Sequence, residues 1–185
     1  GEDYSLVVTN QSGVLGALNL GMLPNDTTFC VGSGQESTCY GENSRSTGAG
    51  TTAMGANSVA DSGAGSEELV AATALGARTE ATGAGSTALG TGADASGEGS
   101  ISSGMNSSAT GRGSLAYGFG ANATAENTMA MGGFASANGD NSVAIGAGAI
   151  ANGRRAIAFG AGAQALGFNT DPIAFGTNAL SDGTA

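Results

Sequence analysis

Between Ala72 and Asn169 one pattern of small, apolar and polar positions returns every fourteen residues, seven times without a gap. Ser114 opens SLAYGFGANATAEN, Thr128 opens TMAMGGFASANGDN, Ser142 opens SVAIGAGAIANGRR and Ala156 opens AIAFGAGAQALGFN. Further units open at Ser37 and Thr51, and Thr28 opens a nine-residue version, TFCVGSGQE. Seven extra residues, GSEELVA, fill 65–71, and Thr170 and Asp171 precede a last unit, PIAFGTNALSDG. Eleven units thus cover 28–183. Position 5 is Gly in all of them, position 3 is Ala in eight, and positions 8 and 10 are Ala, Ser or Thr in every full unit. Position 4 is apolar or aromatic in ten of the eleven.

Successive side chains of a strand point to opposite faces, so this alternation predicts two short strands per unit. The glycines at positions 5 and 12 supply the corners between them. Stacked units then form parallel ladders about 4.8 Å apart, and the fold expected is an all-β solenoid. A helix is excluded, because two fixed glycines in every unit would each cost about 1 kcal/mol against Ala. Positions 3, 8 and 10 carry only small side chains and must share the interior of a very flat coil. Positions 9 and 11 form a polar back, with Arg45, Glu80, Asp94, Asn122 and Gln164 at position 9. Positions 2 and 4 form the outside of the first strand, an apolar stripe roughly 50 Å long. That exceeds what a monomer leaves exposed, which predicts burial against further copies of the chain, most simply in a closed ring.

Composition agrees with this picture. Thirty-five of 185 residues are Gly, there is no His and no Trp, and only 11% are charged. A conventional core of interlocking large side chains is hard to build from such a set, and the glycine spacing does not fit collagen. Disorder fits poorly with 40% apolar residues. The net charge of −10 disfavours nucleic acid as a partner. Catalysis has little support: without His, a Ser or Cys nucleophile lacks its usual base. No cofactor or metal is expected, since no His and only two Cys are present.

Asn141–Gly146 reads NSVAIG. With the repeat S-x-A-x-G-x-x-A/S-x-A-x-G-x-x, it resembles the YadA-like head of trimeric autotransporter adhesins. The resemblance covers 28–183 and implies a left-handed parallel β-roll, assembled as a homotrimer. It implies a bacterial cell-surface location and an outer-membrane anchor outside this chain, so 184–185 read as the start of a continuation towards a neck or stalk. It also implies host matrix proteins such as collagen, fibronectin or laminin, or a cell-surface receptor, as partners, and no enzymatic activity. Collagen binding by some members is attached to NSVAIGxxS. Val143 and Ile145 fit that motif and Ala149 replaces its last Ser, but burial in an interface is the expected role of these residues. The trimer interface expected is Tyr40, Met54, Leu75, Leu89, Leu115, Tyr117, Met131, Val143, Ile145, Ile157, Phe159, Ile173 and Phe175.

Cys30 and Cys39 both occupy position 3 of consecutive units, which predicts stacking within disulfide reach. A loop so short contributes about 2.5–3 kcal/mol in the entropic account, and an exterior location is oxidising enough. Residues 1–27 do not fit the repeat; GVLGALNLGML (13–23) reads as a cap on the first coil, with a binding surface as the alternative. The insertion 65–71 carries Glu67 and Glu68, which form either a ligand-binding loop or a plain bulge. Two other functional classes compete with an adhesin head. One is a phage or structural fibre domain. The other is an ice- or crystal-binding solenoid, hinted at by Thr38, Thr52, Thr73 and Thr87 at position 2 of consecutive coils.

Overall fold

A computed structural model describes residues 7–9, 15–17, 31–32, 37–62, 71–167 and 171–182, with side chains over the last three stretches. Two long parallel sheets dominate it. The first has ten strands, from Thr38–Tyr40 to Ile173–Phe175, and holds positions 2–4 of each coil. The second has eleven, from Val31–Gly32 to Leu180–Ser181, and holds positions 9 and 10 with, in places, 11. Each strand pairs with the equivalent strand one coil on: Val143 with Ile157, Ala144 with Ala158, Ile145 with Phe159. The chain is therefore an all-β parallel solenoid of about fourteen-residue coils. Between Thr52 and its partner Thr73 the register step lengthens, as it does between Ile157 and Ile173; pairing is kept across both skips and is regular again beyond the first. Val7–Thr9 and Leu15–Ala17 form a separate antiparallel pair.

The interior is a column of methyl groups and hydroxyls. Ala74, Ala88, Ala116, Ala130, Ala144 and Ala158 at position 3 are fully buried, and so are Ala95, Ala123, Ala137 and Ala151 at position 10. Among the described residues the largest fully buried side chains are threonines, Thr51, Thr79 and Thr128. Some interior hydroxyls find a partner across the coil: Ser102 Oγ lies 2.7 Å from Ser107 Oγ, and Ser46 Oγ 2.8 Å from Thr51 Oγ1. Position 1 is also interior, which the sequence reading did not assign; Ser86, Ser100, Ser114 and Ser142 are buried there.

Most coils turn twice in the same way. The amide of position 8 donates to the carbonyl of position 5 (Ala135 N to Gly132 O, 3.2 Å), and that of position 1 to position 12 of the coil before (Ser142 N to Gly139 O, 3.0 Å). The third residue of both turns has a positive φ, and Asn or Gly fills most of these slots, as their short side chains or missing Cβ allow. The left-handed residues are thus at positions 7 and 14, in addition to the glycine at position 5. Glycine at position 12, apart from Gly48, has a different cause: Gly97 has no positive φ, and a Cβ there would strike the Gly111 carbonyl of the next coil.

One register differs from expectation. Val31 and Gly32 pair with Arg45 and Ser46 in the second sheet, and not with Tyr40 and Gly41 in the first. Val31 and Gly32 thus stand at second-sheet positions 9 and 10, and not at positions 4 and 5 of a coil. Cys39 lies on the strand Thr38–Tyr40, packs against the alanine core and is not a free thiol. Cys30 lies outside the described residues.

Candidate adhesive surfaces

The flat coil leaves two sheet faces and two rims facing outward. On the first sheet, positions 2 and 4 place large side chains side by side along the whole ladder. Tyr40 and Phe175 near its ends are each 74% exposed, and Tyr117 near the middle is 56% exposed. Met54, Leu75, Ile157, Phe159 and Ile173 are also exposed, while Leu89, Leu115, Met131, Val143 and Ile145 are half-buried by their neighbours in the ladder. Phe159 and Phe175 stack with centroids 5.0 Å apart and planes 6° from parallel. Ile101 and Met129 belong to the same face, at position 2, although the sequence reading did not single them out. In the four coils where Thr holds position 2, the stripe is half as apolar.

The second sheet carries a polar ladder. Thr124 donates to Asn138 Oδ1 at 3.1 Å, and Asn138 Nδ2 donates to Asn152 Oδ1 at 2.8 Å and to Ser136 Oγ at 3.0 Å. Thr124, Asn138 and Asn152 repeat at position 11 because the coil does, and Ser136 stands at position 9. Val59, Ile150 and Leu180 interrupt the polarity at position 9. The rim at positions 13 and 14 is charged: Arg112 lies 3.2 Å from Glu98 and 4.0 Å from Glu126, one coil to either side. Arg155, in the left-handed conformation, donates from Nε to Asp171 at 2.8 Å. All five of these side chains are more than half exposed, so the pairs contribute little to stability.

The opposite rim, at positions 6 and 7, carries what the alternation of strands could not reveal. Met105, Phe119 and Phe134 are 49%, 44% and 65% exposed there, and the two rings meet edge to face with centroids 4.9 Å apart. The signal available in the sequence was Phe134 itself, a large residue in a slot that Asn, Gly or Arg otherwise fills.

The NSVAIG string dissects into structural roles. Asn141 is the left-handed residue of one turn, Ser142 and Ala144 are interior, Val143 and Ile145 join the stripe, and Gly146 begins the next turn with φ +131°. Ala149, in the place of the motif's last Ser, is fully buried. Glu67 and Glu68 lie outside the described residues. Among those described, no group of three or more acidic or Cys side chains could hold a metal ion.

No curated protein matches this sequence. Among solved structures, the crystal structure of the collagen-binding domain of the Yersinia adhesin YadA is similar, at 23% identity and a TM-score of 0.45, over 80% of this chain and 70% of that one. The YadA head domain repeat matches residues 33–66, 70–93, 95–121, 123–149 and 151–169, far more than half of the chain. These segments contain the alanine column and most of the corner glycines and stripe just described, so repeat and coil are one unit. The chain belongs to the YadA head-domain family.

Proposed function

We propose that this chain is the non-catalytic head of a bacterial cell-surface adhesin, assembled as a homotrimer and attaching the cell to host matrix proteins or a cell-surface receptor. The observation that carries the reading is the stripe. A face of ten strands whose outward side chains include Tyr40, Tyr117, Ile145, Phe159 and Phe175 opposes a back of Asn, Ser, Thr and acids. Each large side chain left in water forgoes about 1.5–3 kcal/mol of burial. Three copies turning their stripes to a common axis recover it and keep every polar back in water. Such a rod repeats each surface three times, so weak contacts combine by avidity.

Sedimentation equilibrium tests the assembly: the expected mass is three times 17.5 kDa. Ile145→Asp places charge in the seam without touching the interior, and is expected to release monomers that keep their far-UV circular dichroism. A wild-type monomer, or an Ile145→Asp protein of unchanged mass, refutes the seam. Binding of the wild-type protein to immobilised collagen, fibronectin and laminin tests adhesion, and absence of binding to all three, alone and in serum-coated wells, counts against it.

A further inference from the structure

We infer that Met105, Phe119 and Phe134 form the anchor of a protein-binding site, a ridge that receives an apolar side chain from an extended segment of the partner. This rests on the adhesin reading and adds where the partner is held. Phe134 has φ +57°, the left-handed region that bulky residues avoid. The same turn position holds Gly92, Gly120, Gly148 and Gly162, or Asn43, Asn57, Asn106 and Asn178, in eight other coils. Strain of this kind persists where something other than folding retains it.

The ring is also supported. A Cβ on Gly120 would lie 2.9 Å from Phe134 Cδ1 and 3.0 Å from Cε1, so the ring rests on bare backbone. Its edge-to-face contact with Phe119 fixes the other side. A large aromatic group held in place but left in water is the usual form of an interface anchor. The rim backbone offers nothing to add a strand to, because Gly120 N bonds Met105 O, Phe134 N bonds Phe119 O and Gly148 N bonds Gly133 O at 2.8–3.0 Å. Recognition must come from side chains.

Three coils span about 10 Å, the reach of about three extended residues. Beyond Phe134 the next two coils place only Ala147–Gly148 and Ala161–Gly162 on the rim, a low floor that lets a partner backbone come close. The ridge occupies three coils, whereas the stripe runs through all ten, so it is not part of a seam that repeats with every coil. A lipid surface is disfavoured by the charge of −10 and by the lack of any Lys or Arg among these turn residues nearer than Arg78. A glycan would need several converging polar groups, and the side chains of Met105, Phe119 and Phe134 supply none.

The test is selection of random twelve-residue peptides, displayed on phage, against the immobilised wild-type protein, followed by affinity measurement on Phe134→Gly and Phe119→Ala. The expected result is enrichment of peptides sharing an apolar side chain, with at least tenfold weaker binding to Phe134→Gly. That variant should withstand heat at least as well as the wild type, since Gly suits the turn. No enriched sequence, or equal binding to both variants, overturns the proposal. A lower sedimentation mass for Phe134→Gly overturns it too, by assigning the ridge to a contact between copies. Unchanged binding of Phe134→Gly to a matrix protein that the wild type holds defeats the ridge and leaves the adhesin reading intact. Discriminating peptides without any matrix binding do the reverse.

Discussion

Replacing Gly132 by Ala is a sharp test of how closely the coils stack. Gly132 has φ +133°, and a Cβ on it would come within 2.6 Å of both C and O of Gly146, one coil on. Two costs follow. The backbone conformation disfavours any L side chain by about 1–3 kcal/mol. The clash must also be relieved by opening the coils by about 0.8 Å, since ordinary contact begins near 3.4 Å. That displacement breaks the bonds Gly146 N to Met131 O and Gly148 N to Gly133 O, both 2.8 Å now, at a net cost of about 1 kcal/mol each. The total expected is about 3–5 kcal/mol. Gly176 provides the control: its φ is +121°, yet none of the described residues lies within 4 Å of its would-be Cβ. Gly176→Ala should therefore carry the conformational cost alone, about 2 kcal/mol less than Gly132→Ala. Urea unfolding followed by circular dichroism measures both, at one chain concentration because association raises apparent stability. The difference corresponds to a midpoint shift of about 1 M. Equal midpoints for the two variants would show that coil spacing is not what demands glycine at position 5.

Three further outcomes are expected. Ala144→Leu should prevent the surrounding coils from closing, since nothing larger than Thr is fully buried among the described residues; loss of strand signal and rapid proteolysis are the readouts, and a loss below about 1 kcal/mol would contradict a filled interior. Ser114→Ala should change stability by less than about 0.5 kcal/mol, because its buried hydroxyl has no partner, whereas Ser102→Ala should cost about 1 kcal/mol by breaking the 2.7 Å bond to Ser107; denaturation midpoints in the opposite order would refute this. Arg112→Ala should alter stability by no more than about 1 kcal/mol, and less in high salt, because its partners Glu98 and Glu126 are exposed; a larger, salt-independent loss in melting experiments would contradict it.

The parallel coil was legible because two physical demands act on it at every repeat. Interior positions such as Ala88, Ala116 and Ala144 admit only small side chains, and alternation then sends Leu89, Tyr117 and Ile145 outward. The rest depended on residues that alternation does not govern. Val31–Gly32 has the apolar-then-small form of both Tyr40–Gly41 and Val59–Ala60, so it fits either sheet; the ladder with Arg45 and Ser46 decides. Met105, Phe119 and Phe134 sit in turns, where side-chain direction follows from φ and not from a period of two. Glycine, too, reads alike in sequence at Gly97 and Gly132, although one answers to space alone and the other to φ as well.

The register skips taken between Thr52 and Thr73 and between Ile157 and Ile173 have a genetic consequence. Each coil meets only the coils beside it, through the same short strands, and any coil can face any other of the same form. An in-frame duplication or deletion of one repeat in the gene therefore yields a rod lengthened or shortened by a single ladder spacing, with no new packing to be found. The length of the rod can be selected almost independently of stability, and the turn residues of one coil can diverge while its interior stays fixed.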